Sequence, residues 1–108
     1  MNATTFSALA EPNRLEIVEL LLDGPLSVGE IADRLELNQP QASKHLRVLN
    51  EAGLVSVRPA ANKRIYQLQA EPFQELDEWL SAYRRIWEAR LDRLEEYLEK
   101  LQSKDVQQ

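Results

Sequence analysis

Residues 38–55 read NQPQASKHLRVLNEAGLV, and in them Lys44, His45 and Arg47 stand against a single acid, Glu51. Lysine and arginine make charge-assisted hydrogen bonds to oxyanions, and Gln39, Gln41 and Ser43 beside them add neutral donors and acceptors. The grouping suits a surface that meets an anion. It does not suit bond-making chemistry: the chain shows no nucleophile beside a base and no phosphate-cradling glycine loop. The adjacent carboxylate pairs Asp77/Glu78 and Glu95/Glu96 diverge by ~100° on a helix and cannot flank one bond. His45 is the only histidine and there is no cysteine, so no metal set assembles from the usual nitrogen and sulfur ligands. The expectation is a protein that is not an enzyme and holds no cofactor or metal.

A net charge of −5 argues against a nucleic-acid partner only if the charge is evenly spread. It is not. Residues 11–37 carry two basic and seven acidic groups, residues 38–66 five basic and one acidic, and residues 70–108 six basic and ten acidic. Local potential governs phosphate binding because charges are screened beyond ~8–10 Å, so a basic face on an acidic chain is compatible with a polyanion. At 108 residues and 44% hydrophobic content, one domain over residues 1–102 is expected, with 103–108 as a disordered tail. No basic start with an apolar run marks a leader, and no stretch approaches the ~20 apolar residues of a membrane span. A cytoplasmic location is expected.

The elements that must position the basic residues follow from spacing and caps. Phe6, Leu9, Leu15, Val18, Leu21 and Leu22 recur at helical spacing, with Pro12 dividing them into a short helix and a second one from Pro12 to Leu22. Asp23-Gly24-Pro25 ends that helix. Ser27 with Glu30, and Asn38 with Gln41, are two capping boxes that each open a helix, the second with Pro40 in its first turn. On the second of these helices Ala42, Leu46 and Leu49 share one face, and Pro40, Ser43, Lys44, Arg47 and Glu51 the other. Gly53 supplies a left-handed stop. LVSV and RIYQL then read as two strands around the turn RPAANK. From Pro72 to about Leu101, Phe73, Leu80, Trp87, Leu94 and Leu101 fall seven apart, widened by Leu76, Tyr83, Leu91 and Leu98. A helix of ~30 residues spans ~45 Å, so part of this stripe needs a partner outside the chain.

This order, a mainly α chain with a small β-hairpin and a long C-terminal helix, is that of a winged helix-turn-helix. FSALAEPNRLEIVELLL, LSVGEIADRLELNQPQASKHLRVLNEAGLV and the RIYQL strand resemble the ArsR-type family of bacterial transcriptional repressors, over nearly the whole chain. The resemblance implies a homodimer that binds double-stranded DNA. It places Gln39, Gln41, Ser43, Lys44, His45 and Arg47 at base edges or phosphates, and Arg58, Lys63 and Arg64 on a hairpin wing. It also implies a dimer interface of the terminal helices, through Phe6, Leu9, Phe73, Leu76, Leu80, Tyr83, Trp87, Leu91 and Leu94. Metal-sensing members of this family carry C-x-C where Ser27 and Gly29 stand, so metal sensing of that type is not expected. The wing tip, PAAN, lacks the glycine often found there, and Asn62 is expected to take the left-handed conformation.

Plainer readings accompany each of these. Lys44 and Arg47 on a solvated face, charged hairpin residues serving solubility, and aromatic packing at Trp79, Tyr83 and Trp87 are the ordinary states of such residues. His45 lies at the flank of the apolar face, where packing is as available to it as phosphate contact. Two other functions remain open: a winged-helix module that binds proteins, and a repressor released by a small-molecule ligand.

Overall fold

A computed structural model of the chain describes residues 2–106. Helices α1 (Ala3–Leu9) and α2 (Pro12–Leu21) are followed by a short strand β1 (Leu26–Ser27). Helices α3 (Val28–Leu35) and α4 (Gln39–Glu51), strands β2 (Val55–Ala60) and β3 (Lys63–Leu68), and helix α5 (Ala70–Val106) complete the order. The chain divides into two compact units, residues 1–75 and residues 76–108. The reason is the length of α5: 37 residues extend ~55 Å, well beyond the ~30 Å of a small domain. Nothing in QSKDV breaks a helix, and α5 continues through residues 103–106; residues 107 and 108 lie outside the described residues.

In the first unit the core joins α2, α3, α4 and the sheet. Ile17, Ile31, Leu46, Leu49 and Leu54 have no exposed surface, and Val18, Leu21, Val55 and Tyr66 are buried with them. On α4 the expected face is the one inside: Ala42, Leu46 and Leu49. On α2 it is not. Leu15 and Leu22 are exposed and Ile17 takes the central place, because apolar residues surround this helix and periodicity alone does not choose among faces.

The sheet holds three antiparallel strands in the order β1-β3-β2, one more than the expected hairpin. Leu26 pairs with Tyr66 and Ser27 with Ile65, while β2 runs from Val55 opposite Leu68 to Ala60 opposite Lys63. Two residues are too short a strand to leave an alternating pattern. The wing turn is therefore just Ala61 and Asn62, and Ala61, not Asn62, has the positive φ of 55°. The strand register fixes which residue occupies the left-handed position, and it overrides asparagine's greater tolerance of that conformation. Gly53 ends α4 at φ 78°, as expected, whereas α3 ends with Glu36 at φ 56°.

Since Leu46 is fully buried, Leu46→Ala should lower unfolding stability by about 2–5 kcal/mol. Urea denaturation measures this. A loss below half a kcal/mol would mean that α4 is not seated as described.

Candidate nucleic-acid interface

Two capping boxes aim the candidate residues. The Asn38 side chain accepts from the Gln41 amide at 2.9 Å, and the Gln41 side chain accepts from the Asn38 amide at 3.2 Å. The first-turn amides of α4 are thereby satisfied from within. At α3, Ser27 Oγ accepts from the Glu30 amide at 3.2 Å and Glu30 Oε1 from the Ser27 amide at 3.3 Å. Both boxes are those expected from the sequence.

With Leu46 and Leu49 inside, Gln39, Gln41, Ser43, Lys44 and Arg47 all emerge on the exposed side of α4. Arg58, Lys63 and Arg64 are exposed on β2 and β3. The structure brings part of these together. Gln39 and Ser43 from α4, Ser27, Gly29, Glu30 and Asp33 around the start of α3, and Asn62, Lys63 and Arg64 of the wing line one open groove of about 580 Å³. Gln41, Lys44, Arg47 and Arg58 are not among its lining residues. The groove couples the start of α4 to the wing through α3, a connection the sequence did not reveal. Its signal is the three-residue step from Ser27 to Glu30, since Ser27 both caps α3 and pairs with β3.

His45 faces the other way. Its side chain is 18% exposed, and Nδ1 lies 3.7 Å from Glu11 Oε2, a carboxylate that also accepts from the Arg14 amide to cap α2. Nδ1 is buried without a hydrogen-bond partner. In this conformation the ring joins α4 to the start of α2 by packing and proximity, and it is set apart from the exposed side of α4 that carries Lys44 and Arg47.

The carboxyl of Glu30 is held below the usual carboxylate range. The hydrogen bonds with the Ser27 hydroxyl and then the Ser27 amide are the main causes, and the cations Lys63 and Arg34 add to them. A Cβ at Gly29 would come 3.5 Å from Gln39 Nε2. Among the described residues, no group of three or more His, Cys, Asp or Glu could hold a metal ion.

The expected dimer residues fall into two sets. Leu9 and Phe73 are partly buried against the core of the first unit, so each already has an intrachain partner. Phe6 is 40% exposed. On α5, Leu76 is half-buried and Leu80, Tyr83, Trp87, Leu91 and Leu94 are exposed. Ile86, Tyr97, Leu98 and Leu101 are exposed too. Trp79 and Tyr83 stack at a tilt, with ring centroids 4.7 Å apart. Arg84 pairs with Asp77 at 3.1 Å on the helix surface.

A capped helix seated on two others, with its polar side outward and a three-stranded wing beside it, defines a winged helix-turn-helix. Residues 11–57 match the family described as bacterial regulatory protein, arsR family. The chain is 42% identical over 73 residues to the transcriptional activator HlyU of Vibrio cholerae, covering 68% of each chain. The HlyU structure superposes with a TM-score of 0.64 at 40% identity, over 71% of this chain and 84% of that one. An HTH-type transcriptional regulator of Mycobacterium tuberculosis, Rv2034, is 51% identical over 63 residues, which are 58% of this chain and 59% of the relative's length. A homodimeric winged helix-turn-helix DNA-binding domain from Mycobacterium bovis matches with a TM-score of 0.65 at 31% identity, over 74% of each chain. The chain belongs to the arsR family of bacterial regulatory proteins.

The Glu30 carboxylate stabilises the fold above its unfolded pKa, and that contribution disappears as pH falls through the depressed folded value. Wild type should therefore exceed Glu30→Gln in melting temperature at neutral pH, and the gap should close at pH values below the usual carboxylate range. A gap that stays constant through this range would show that the ionised carboxylate contributes nothing to the cap.

Proposed function

We propose that this chain is a homodimeric, sequence-specific DNA-binding regulator that represses transcription by occupying an inverted-repeat operator. The observation that carries this reading is the division of α4: one face has no exposed surface and the other presents Gln39, Gln41, Ser43, Lys44 and Arg47 together. Glutamine can pair bidentately with adenine and arginine with guanine, while lysine holds phosphate. Arg58, Lys63 and Arg64 serve as wing contacts to the backbone. The half-buried His45 positions α4 more than it touches DNA. The homodimeric M. bovis domain and the exposed apolar side of α5 support two-fold assembly, and a bound dimer represses by occupancy alone. HlyU is described as an activator, and the same bound dimer would serve either outcome according to where the operator lies.

The regulator works in the cytoplasm without catalysis, and no helix among the described residues is long and apolar enough to cross a membrane. Selection of bound sequences from random duplex DNA should enrich an inverted repeat whose half-sites lie about one helical turn, or a multiple of it, apart. Gln41→Ala should cost about 1–3 kcal/mol and relax preference at one position in each half-site. Lys44→Ala should weaken binding to specific and random duplexes alike and lower the salt slope by about one for each phosphate that Lys44 neutralises. A dimeric quadruple variant, with Gln39, Gln41, Lys44 and Arg47 all changed to alanine, that still binds the selected operator at wild-type strength would exclude α4 as the reading helix. Failure to enrich any sequence would favour a protein-binding module.

Zinc, cadmium, arsenite and thiol oxidants should leave operator affinity unchanged, since serine and glycine occupy the family's thiolate positions and the chain has no cysteine. A metal-induced release that a chelator reverses would reveal a site of another kind. A ligand-released repressor would show itself by a melting temperature raised by one compound in a screen.

A further inference from the structure

The groove between α4 and the wing interrupts the basic surface of the first unit. Lys44, Arg47 and Arg58 lie outside it, and its lining sets two acids, Glu30 and Asp33, against two bases, Lys63 and Arg64. The formal charges cancel in the one place where the reading helix and the wing meet. Glu30 and Asp33 are three residues apart on α3 and both exposed, so they stand on the same side of that helix.

Glu30 differs from an ordinary surface glutamate. Its Oε1 accepts from the Ser27 amide at 3.3 Å, while the Ser27 hydroxyl accepts from the Glu30 amide at 3.2 Å, and the side chain is thereby tied to the first turn of α3. A free glutamate swings away from an approaching anion; a tied one moves only by breaking the cap. The same bonds, with Lys63 and Arg34 adding to them, hold the carboxyl below the usual carboxylate range. It therefore stays ionised when a second anion comes near.

We infer that Glu30, with Asp33 beside it, is a specificity-determining residue of the DNA interface, whose fixed negative charge penalises any register of the duplex that sets a phosphate in this groove. The inference rests on the DNA-binding function proposed above and concerns how that surface rejects other sequences.

In a specific complex the base contacts of α4 hold the duplex in one register, and each phosphate has one place. A non-specific complex is almost wholly electrostatic, and the duplex slides through many registers. Some of these bring a phosphate over α3, where it meets Glu30 and Asp33. Like charges within ~8 Å of each other near a protein surface lower affinity by about two- to five-fold for each phosphate so placed. Glu30 also competes for a cation, since Lys63 already feels its charge in the free protein and a phosphate has to replace that attraction. Wrong sequences are thus opposed by a placed repulsion as well as by missing contacts.

Charge and cap can be separated at this position. Glutamine keeps the side-chain acceptor that the capping box requires and removes the charge, whereas aspartate keeps the charge. Wild type, Glu30→Gln and Glu30→Asp, each checked for folding by circular dichroism, would be titrated onto the selected operator and onto random duplex over a range of salt concentrations. Glu30→Gln is expected to bind random duplex about two- to five-fold more tightly for each phosphate opposed, with a steeper salt slope, and to gain less on the operator. The ratio of the two affinities narrows, and in Glu30→Asp it stays near wild type. An unchanged ratio in Glu30→Gln, or an equal narrowing in Glu30→Asp, would overturn the inference, because the charge would not be what discriminates. Should Glu30→Gln fail to fold, Asp33→Asn removes the other carboxylate of the groove without touching the cap; a narrowed ratio supports the inference and an unchanged one overturns it. A folded wild-type protein that binds neither duplex overturns the DNA-binding reading itself. A wild type that prefers its operator, with variants that keep the full preference, overturns only the role of the groove.

Discussion

The seating of α4 is the constraint on which the first unit depends. Ala42, Leu46 and Leu49 have no exposed surface, and each fully buried leucine stabilises the fold by roughly 1.5–3 kcal/mol. Because a helix turns 100° per residue, fixing Leu46 inward leaves no freedom in the direction of Lys44 or Arg47. The polar side of α4 is thus aimed by its apolar side. The Asn38–Gln41 box completes the constraint at the helix start, where a frayed turn would otherwise release Gln39 and Gln41.

Ser27 performs the comparable task for the wing. Its hydroxyl caps α3, its backbone pairs with Ile65 of β3, and its side chain borders the groove shared with Gln39 and Arg64. One residue therefore ties the strand that carries Lys63 and Arg64 to the helix packed beneath α4. The covered faces and the presented faces are set by the same few residues.

What the sequence made legible was local or periodic. Both capping boxes depend on side chains three residues apart, the buried face of α4 on a clear apolar/polar division, and the stripe of α5 on a repeat of seven. What it hid depends on contacts distant in sequence. β1 exists only because β3 lies beside it, and two residues leave no alternation to read. The place of Ile17 at the core, with Leu15 outside, is chosen by α3 and α4, not by any pattern within α2. Ala61 and Glu36 adopt positive φ against residue preference because the strand register and the end of α3 require it. The candidate residues were individually legible, while the groove that unites four of them with α3 was not. The inward turn of His45 toward Glu11 was open in the sequence, since a residue at the edge of a face can point either way.

The separation of charge along the chain has a kinetic consequence for the proposed function. Seven acidic groups lie within residues 11–37, and five of the six charged residues from 38 to 66 are basic. At separations beyond a Debye length the charges are largely screened, and the net charge of the chain has little hold on a polyanion. Within that length the local charge on α4 and the wing dominates, and it attracts a polyanion. Encounters are therefore biased by orientation before any hydrogen bond forms: approaches led by the acidic residues of α2 are opposed, and those led by α4 and the wing are drawn in. Such a protein would meet arbitrary DNA through the same face that reads the operator, so its loose attachments already hold α4 against the duplex.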